Sequence, residues 1–213
     1  ANAGTDQTVE CANPSGTPVA LDGSGSNDPN NDTLSYTWTG TSISATGPQP
    51  TVTLGKGIHT ITLTVSDGTA SDTDEVVITI QDTTPPVLTI PGNIVVECSA
   101  PGGQVVTIGQ ATATDNCDAN PSVSSNAPTM FSLGTTVVTW TAKDDDGNEI
   151  TGDQSVTVQD TTPPALTVPG DIVVECSVPG GQVVTIGQAT ATDNCDTNPS
   201  VSSNAPTMFS LGT

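Results

Sequence analysis

The hexapeptide Gln81-Asp82-Thr83-Thr84-Pro85-Pro86 recurs letter for letter at 159–164. Two consecutive prolines remove two backbone donors and hold φ near the polyproline value, so the segment is stiff and extended. The residue ahead of them is pushed to extended geometry as well. Such a segment suits a spacer between folded units, and its surroundings repeat with it. Residues 82–135 and 160–213 align at a fixed offset and differ at five positions: Val87/Ala165, Ile90/Val168, Asn93/Asp171, Ala100/Val178 and Ala119/Thr197. The period is too long for a solenoid turn or a propeller blade and suits a β-sandwich of about seven strands.

The repeat divides the chain into residues 1–81, 82–159 and 160–213. In the first segment the predicted strands are Thr8–Cys11, Pro18–Leu21, Leu34–Thr39, Pro50–Leu54, His59–Ser66 and Glu75–Ile80. The last two alternate as a half-buried sheet requires, and Gly- and Asp-rich turns separate the runs. Tyr36 and Trp38 share one strand face, and Trp38 is expected to fill the centre of the sandwich. The second segment reads as strands at Val87–Ile90, Ile94–Cys98, Gln104–Ile108, Thr112–Asp115, Ser122–Ser124, Thr136–Ala142 and Gln154–Gln159. The third segment stops before the counterparts of the last two. Either the sequence is a window on a longer array, the preferred reading, or a neighbouring subunit donates the missing strands.

Charge narrows the function classes. Two lysines face 23 acidic residues, for a formal net charge of -21. A surface this acidic repels phosphate backbones and anionic lipid, which disfavours nucleic-acid and membrane-surface roles, and no apolar run is long enough to insert in a bilayer. The acids are mostly aspartates set among Asn and Gly in loops, the ligand chemistry of Ca²⁺. A solvated acidic surface that keeps the chain soluble is the plainer reading of the same residues.

The residues carry a resemblance. Residues 1–81, with "VALDGSGSNDPNNDTLSYTWT" and "GIHTITLTVSDGTASDTDEVVITI", resemble a PKD (polycystic kidney disease) domain. Residues 82–159 and 160–213, with "DTTPP", "VVECSAPGG" and "ATATDNCD", resemble HYR (hyalin repeat) domains. The resemblance implies tandem immunoglobulin-like β-sandwiches in an elongated rod, as found in large bacterial surface adhesins and filaments. It departs from the HYR pattern at Trp140, which stands where a strand cysteine is common.

Cys98 to Cys117 and Cys176 to Cys195 have the same spacing, which suggests one disulfide inside each repeat, made outside the cytosol. Cys11 has no partner in its own segment; it is either a buried thiol or bonded to sequence beyond this chain.

Catalysis finds little support. His59 is the sole histidine and cannot by itself build a nucleophile–base pair. Acid dyads of glycosidases lie in aromatic-lined clefts, and the few aromatics here are accounted for by cores. For Ca²⁺ the candidate ligands are Asp28 and Asp32 in "NDPNND", Asp144 and Asp146 in "KDDDGNE", Asp115 and Asp118 in "TDNCD" with their repeats Asp193 and Asp196, and the linker residues Asp82 and Asp160. Taken singly, each loop reads as an Asx turn capping its own backbone. At a seam, however, a linker aspartate can share an ion with loops on either side. The sequence thus points to an extracellular or cell-surface structural and adhesive array, non-enzymatic and stiffened by Ca²⁺. Its expected partners are neighbouring repeats or subunits, surface glycans, or a host or substratum surface. The alternative is a spacer in a secreted polysaccharide- or protein-degrading enzyme.

Overall fold

The computed structural model describes residues 1–210, which are strand and loop without a helix. The strands are β1 (Gln7–Glu10), β2 (Thr17–Ala20), β3 (Ser35–Gly40), β4 (Ile43–Thr46), β5 (Thr51–Leu54), β6 (Gly57–Ser66), β7 (Ser71–Gln81), β8 (Val87–Thr89), β9 (Ile94–Glu97), β10 (Thr112–Thr114), β11 (Ser122–Ser125), β12 (Gly134–Lys143), β13 (Glu149–Gln159), β14 (Ala165–Thr167) and β15 (Thr190–Thr192). Two compact units result. The first gathers Ala1–Ile90, Gln110–Ser125 and Thr139–Gly152; the second gathers Pro91–Gly109, Asn126–Val138 and the chain from Asp153 on. Strands β12 and β13 therefore contribute residues to both.

The first unit is built on a five-stranded sheet of order β1-β7-β6-β3-β4, faced by the antiparallel pair β2-β5. Strict alternation in β6 and β7 sends Ile61, Leu63, Val65, Val76, Ile78 and Ile80 inward and their threonine neighbours outward. Val19, Leu21, Val52 and Leu54 meet them from β2, β5 and the adjoining turn, closing one core. Each such side chain contributes about 1.5–3 kcal/mol when fully buried. Trp38 is completely buried in that core, as expected, and its indole Nε1 donates to Gly47 O at 2.9 Å. Gly23 lies so close to the ring that a Cβ there would stand 2.9 Å from Trp38 Cζ2.

Strand β1 runs parallel to β7, pairing Gln7 with Ile78 through Glu10 with Gln81. This brings Cys11 to the end of β7, where its N–H donates to Gln81 O at 2.8 Å. The first unit also contains the antiparallel pairs β8–β10 and β11–β12.

The second unit repeats the edge arrangement. β9 lies parallel to the end of β13, Ile94 opposite Val156 through Glu97 opposite Gln159, and Cys98 N–H donates to Gln159 O at 2.7 Å. Gln154 is fully buried, and its Nε2 donates to Gly92 O and Ile108 O. The strand expected at Gln104–Ile108 reduces to one bridge, Gln104 to Phe131, because Gly103 before it takes φ +125 and sits against Phe131 O. The second copy repeats this bridge as Gln182 to Phe209 and pairs β14 with β15.

Candidate metal centre at the first linker

Three loops of the first unit place carboxylates together. Asp82 follows β7 directly; it is 6% exposed, and its Oδ1 accepts the Thr84 N–H at 3.2 Å. Asp115 opens the loop after β10 and accepts the N–H groups of Cys117 (2.7 Å) and Asp118 (2.9 Å) on Oδ1. Asp144 starts the β12–β13 turn. Its Oδ1 accepts from the main-chain N–H of Asp146, Gly147 and Asn148, and its Oδ2 accepts from Asn148 Nδ2. The turn closes because Gly147 adopts φ +97. Asn148 Nδ2 also donates to Asp82 O, tying this turn to the linker.

Each loop is, by itself, the Asx turn expected from its sequence. The second oxygens make the difference. One ligand oxygen from each of Asp82, Asp115 and Asp144 lies within 4.8 Å of those of the other two. Asp82 Oδ2 and Asp115 Oδ2 are buried without any hydrogen-bond partner, as is Asp118 Oδ2 in the same loop as Asp115. Buried carboxylate oxygens are almost always satisfied. At about 5 Å and an effective dielectric near 20, each like-charged pair costs on the order of 3 kcal/mol. Burial raises the Asp82 carboxyl above its ordinary range; the Thr84 N–H opposes the shift, and the charges of Asp115, Asp144 and Asp146 add to it. For Asp144 burial again pushes upward, but the Asn148 side chain and the turn N–H groups outweigh it and hold the carboxyl low. Hard oxygen donors, an orphaned pair among them, fit a divalent cation of the Ca²⁺ type. Lys56, in the turn before β6, forms an ion pair with Asp146, whose carboxylate raises the lysine pKa.

The other predicted ligands are not part of this three-oxygen cluster, although Asp118 and Asp146 lie in the same loops as Asp115 and Asp144. Asp28 Oδ1 accepts from Asn30 and Asp32 N–H in a closed turn. Asp146 is engaged by Lys56, and Asp160 accepts from Thr162 N–H. Asp193 repeats the turn of Asp115, accepting from Cys195 and Asp196 N–H, and Asp196 accepts from Asn198 N–H. Lys56, far off in sequence, was missed as a member of the site; Asn148 lies in the predicted "KDDDGNE" loop.

The disulfides correct the sequence reading. The bonds are Cys11–Cys117 and Cys98–Cys195, and Cys176 is free and exposed. Equal spacing inside each repeat is produced just as well by bonding from one segment to the next as by bonding within it. The local structure decides. Cys11 and Cys98 end the strands that pair beside a linker, while Cys117 and Cys195 sit in the DNC loop that follows one. Cys11 thus has its partner within this chain.

Each bond is accompanied by the same contacts. Glu10 accepts from Thr83 N–H, Thr83 Oγ1 and Thr84 Oγ1; Glu97 accepts from Thr161 N–H, Thr161 Oγ1 and Thr162 Oγ1. Asn116 Nδ2 donates to Cys11 O, and Asn194 Nδ2 to Cys98 O. The doubled threonines of "DTTPP" therefore hold the glutamate of the preceding "VEC" strand.

A parallel first strand, antiparallel sandwich layers and cystine-bridged linkers define an extracellular protein of tandem immunoglobulin-like β-sandwich modules. More particularly, residues 3–80 match the K319L-like PKD domain family and residues 81–158 match the HYR domain family. Hyalin of Lytechinus variegatus is 39% identical over 54% of this chain and 24% of its own length. Hyalin of Strongylocentrotus purpuratus is 38% identical over 65% of this chain and 12% of its own length. The chain thus spans a quarter or less of the curated relatives it matches. Neither relative is bacterial, so the bacterial setting drawn from the resemblance gains no support. Among solved structures, the first three extracellular cadherin domains of Drosophila N-cadherin are similar at 13% identity, covering 78% of this chain and 67% of that one, with a TM-score of 0.39.

Proposed function

We propose that this chain is a segment of an extracellular adhesive repeat array, with module boundaries after residues 81 and 159, and that Ca²⁺ held by Asp82, Asp115 and Asp144 braces its first linker. The observation that carries this reading is the pair of buried, unpartnered oxygens on Asp82 and Asp115 within a three-carboxylate cluster. In such a site the cation supplies charge neutralisation. Asp82 would hold it from the linker, Asp115 from the DNC loop and Asp144 from the β12–β13 turn, while Lys56 moderates the surplus negative charge through Asp146. The role is mechanical and non-catalytic, and the partners are neighbouring repeats of the same array.

Calorimetric titration of the chain with Ca²⁺, paired with thermal unfolding in Ca²⁺ and in chelator, tests the proposal. Saturation at about 100 times the dissociation constant should add roughly 2.7 kcal/mol of stability. Absence of both binding heat and any thermal shift overturns it.

A further inference from the structure

Asp82 and Asp115, the two cluster members with orphaned oxygens, stand at opposite ends of one covalent bridge. Cys11 N–H donates to the carbonyl of Gln81, the residue just before Asp82. Glu10 accepts from the N–H of Thr83, the residue just after it. The end of β1 thus grips the chain on both sides of Asp82. Across the bond, Cys117 N–H donates to Asp115 Oδ1 at 2.7 Å, and Asn116 Nδ2 donates back to Cys11 O. From one ligand to the other the route runs Asp82, Gln81, Cys11, Cys117, Asp115, and its middle step is the cystine.

Asp144 reaches the cluster by a different route. Its turn is closed by its own N–H groups, and Asn148 Nδ2 ties that turn to Asp82 O. Breaking the cystine leaves this tie in place. The Asp115 loop, by contrast, is then joined to Cys11 through the Asn116 amide and no longer through a covalent bond.

We propose, building on the cation site above, that Cys11 and Cys117 are its positioning residues, and that cystine and cation are coupled. The closed bond holds the Asp115 carboxylate beside those of Asp82 and Asp144, and Ca²⁺ binds the assembled trio. Opening the bond frees Asp115 to withdraw from two like charges, so the cation meets two carboxylates instead of three. Coupling of this kind is reciprocal: the factor that the bond adds to cation affinity, the cation adds to the bond's resistance to reduction. Groups that orient metal ligands are worth about 10–100-fold in affinity, which sets the size expected.

Burial makes the coupling strict. Cys11 is 3% and Cys117 8% exposed, so a reductant reaches the sulfurs only when the end of β1 and the Asp115 loop part. The same parting dismantles the site, and a bound cation opposes it. In the reductive step a small dithiol gives two electrons and two protons to the cystine. The Cys11–Cys117 bond breaks into two thiols as the dithiol closes into its own disulfide.

Cys98–Cys195 supplies an internal reference. It has the same flanking contacts, Cys98 N–H on Gln159 O and Glu97 on Thr161 N–H. Among the described residues, however, the group of three close carboxylates is the one at the first linker.

The test brings the full chain to equilibrium in graded ratios of reduced to oxidised dithiothreitol, with Ca²⁺ or with chelator, and maps the alkylated thiols. Ca²⁺ should raise the ratio needed to open Cys11–Cys117 by about 10–100-fold and leave that for Cys98–Cys195 unmoved. Asp115→Asn, which removes the ligand charge and keeps the cystine, should abolish the shift. By calorimetry, the chain carrying both Cys11→Ser and Cys117→Ser should bind Ca²⁺ more weakly by the same factor, with its Cys98–Cys195 bond and Trp38 fluorescence reporting the fold. If that variant does not fold, the reduction ratios decide alone. An equal shift at both bonds, or no shift at Cys11–Cys117 while the oxidised chain binds Ca²⁺, overturns the coupling and leaves the cation site standing. Absence of Ca²⁺ binding to the oxidised chain overturns both.

Discussion

Asn116 Nδ2 donates to the main-chain carbonyl of Cys11, the residue to which its neighbour Cys117 is covalently bonded. The side-chain amide and the cystine grip the same point, one polar and one covalent, and Asn194 and Cys195 repeat the grip on Cys98. The same strand end is tied to the linker through Glu10 or Glu97, which accepts from the two linker threonines.

Asp82→Asn should act in opposite directions with and without Ca²⁺. In chelator it removes a buried charge facing Asp115 and Asp144, so the melting temperature should rise. In saturating Ca²⁺ it deletes a ligand, and most of the cation-dependent gain should vanish. Differential scanning calorimetry of the variant in both buffers checks the sign reversal.

The metal-free chain should show two opposed acid responses. The Asp82 carboxyl is raised by burial, so its contribution to stability is fully present at low pH and is lost as pH rises through its folded-state value. Glu10 is lowered by the Thr83 N–H and the Thr84 hydroxyl, so its contribution is present above its unfolded value and fades as pH falls through the folded one. Urea unfolding across the acid range should find that Asp82→Asn flattens the loss toward neutrality, whereas Glu10→Gln flattens the loss on acidification.

Paired replacement of Cys11 and Cys117 by serine should cost on the order of 4–5 kcal/mol, because the bond spans a sequence separation of 106 residues and long loops restrict the unfolded chain most. Non-reducing denaturant titration measures the difference. Cys176→Ser should change stability by less than about 0.5 kcal/mol, as for other exposed sites.

Trp38→Ala should destabilise the first unit by about 3–5 kcal/mol, since the ring is fully buried against Leu63 and Gly23 and its N–H bond to Gly47 O is lost as well. Tryptophan fluorescence and circular dichroism during unfolding give the magnitude.

The long strands β6 and β7 were legible because their inward Ile, Leu and Val alternate with threonine over many residues. The hairpin to β4 was not. Its two-residue turn, Thr41-Ser42, holds Ser42 at φ 61 without the Asn-Gly pair that announces such turns, and Ile43–Thr46 is too short to stand out. The cation cluster was half legible. Asp82, Asp115 and Asp144 were among the predicted ligands because Asp-rich turns and a linker aspartate mark themselves, yet seven others were indistinguishable from them by sequence. What separates the three is that one oxygen of each lies within 4.8 Å of those of the other two, a property of folding and not of composition. The cystine pairing was misread for a different reason: in a periodic array, intervals between residues do not say which period a bond belongs to.

The two cystines overlap along the chain, Cys98 falling inside the loop that Cys11 and Cys117 close. Under tension the load therefore crosses from Cys11 to Cys117, returns to Cys98 and crosses again to Cys195. Only about 50 residues then carry the pull, giving a limiting contour near 170 Å where the reduced chain could stretch to about 720 Å at ~3.4 Å per residue. Unravelled by force, the oxidised molecule would behave as a short inextensible tether, and a reducing environment would turn it into a long one.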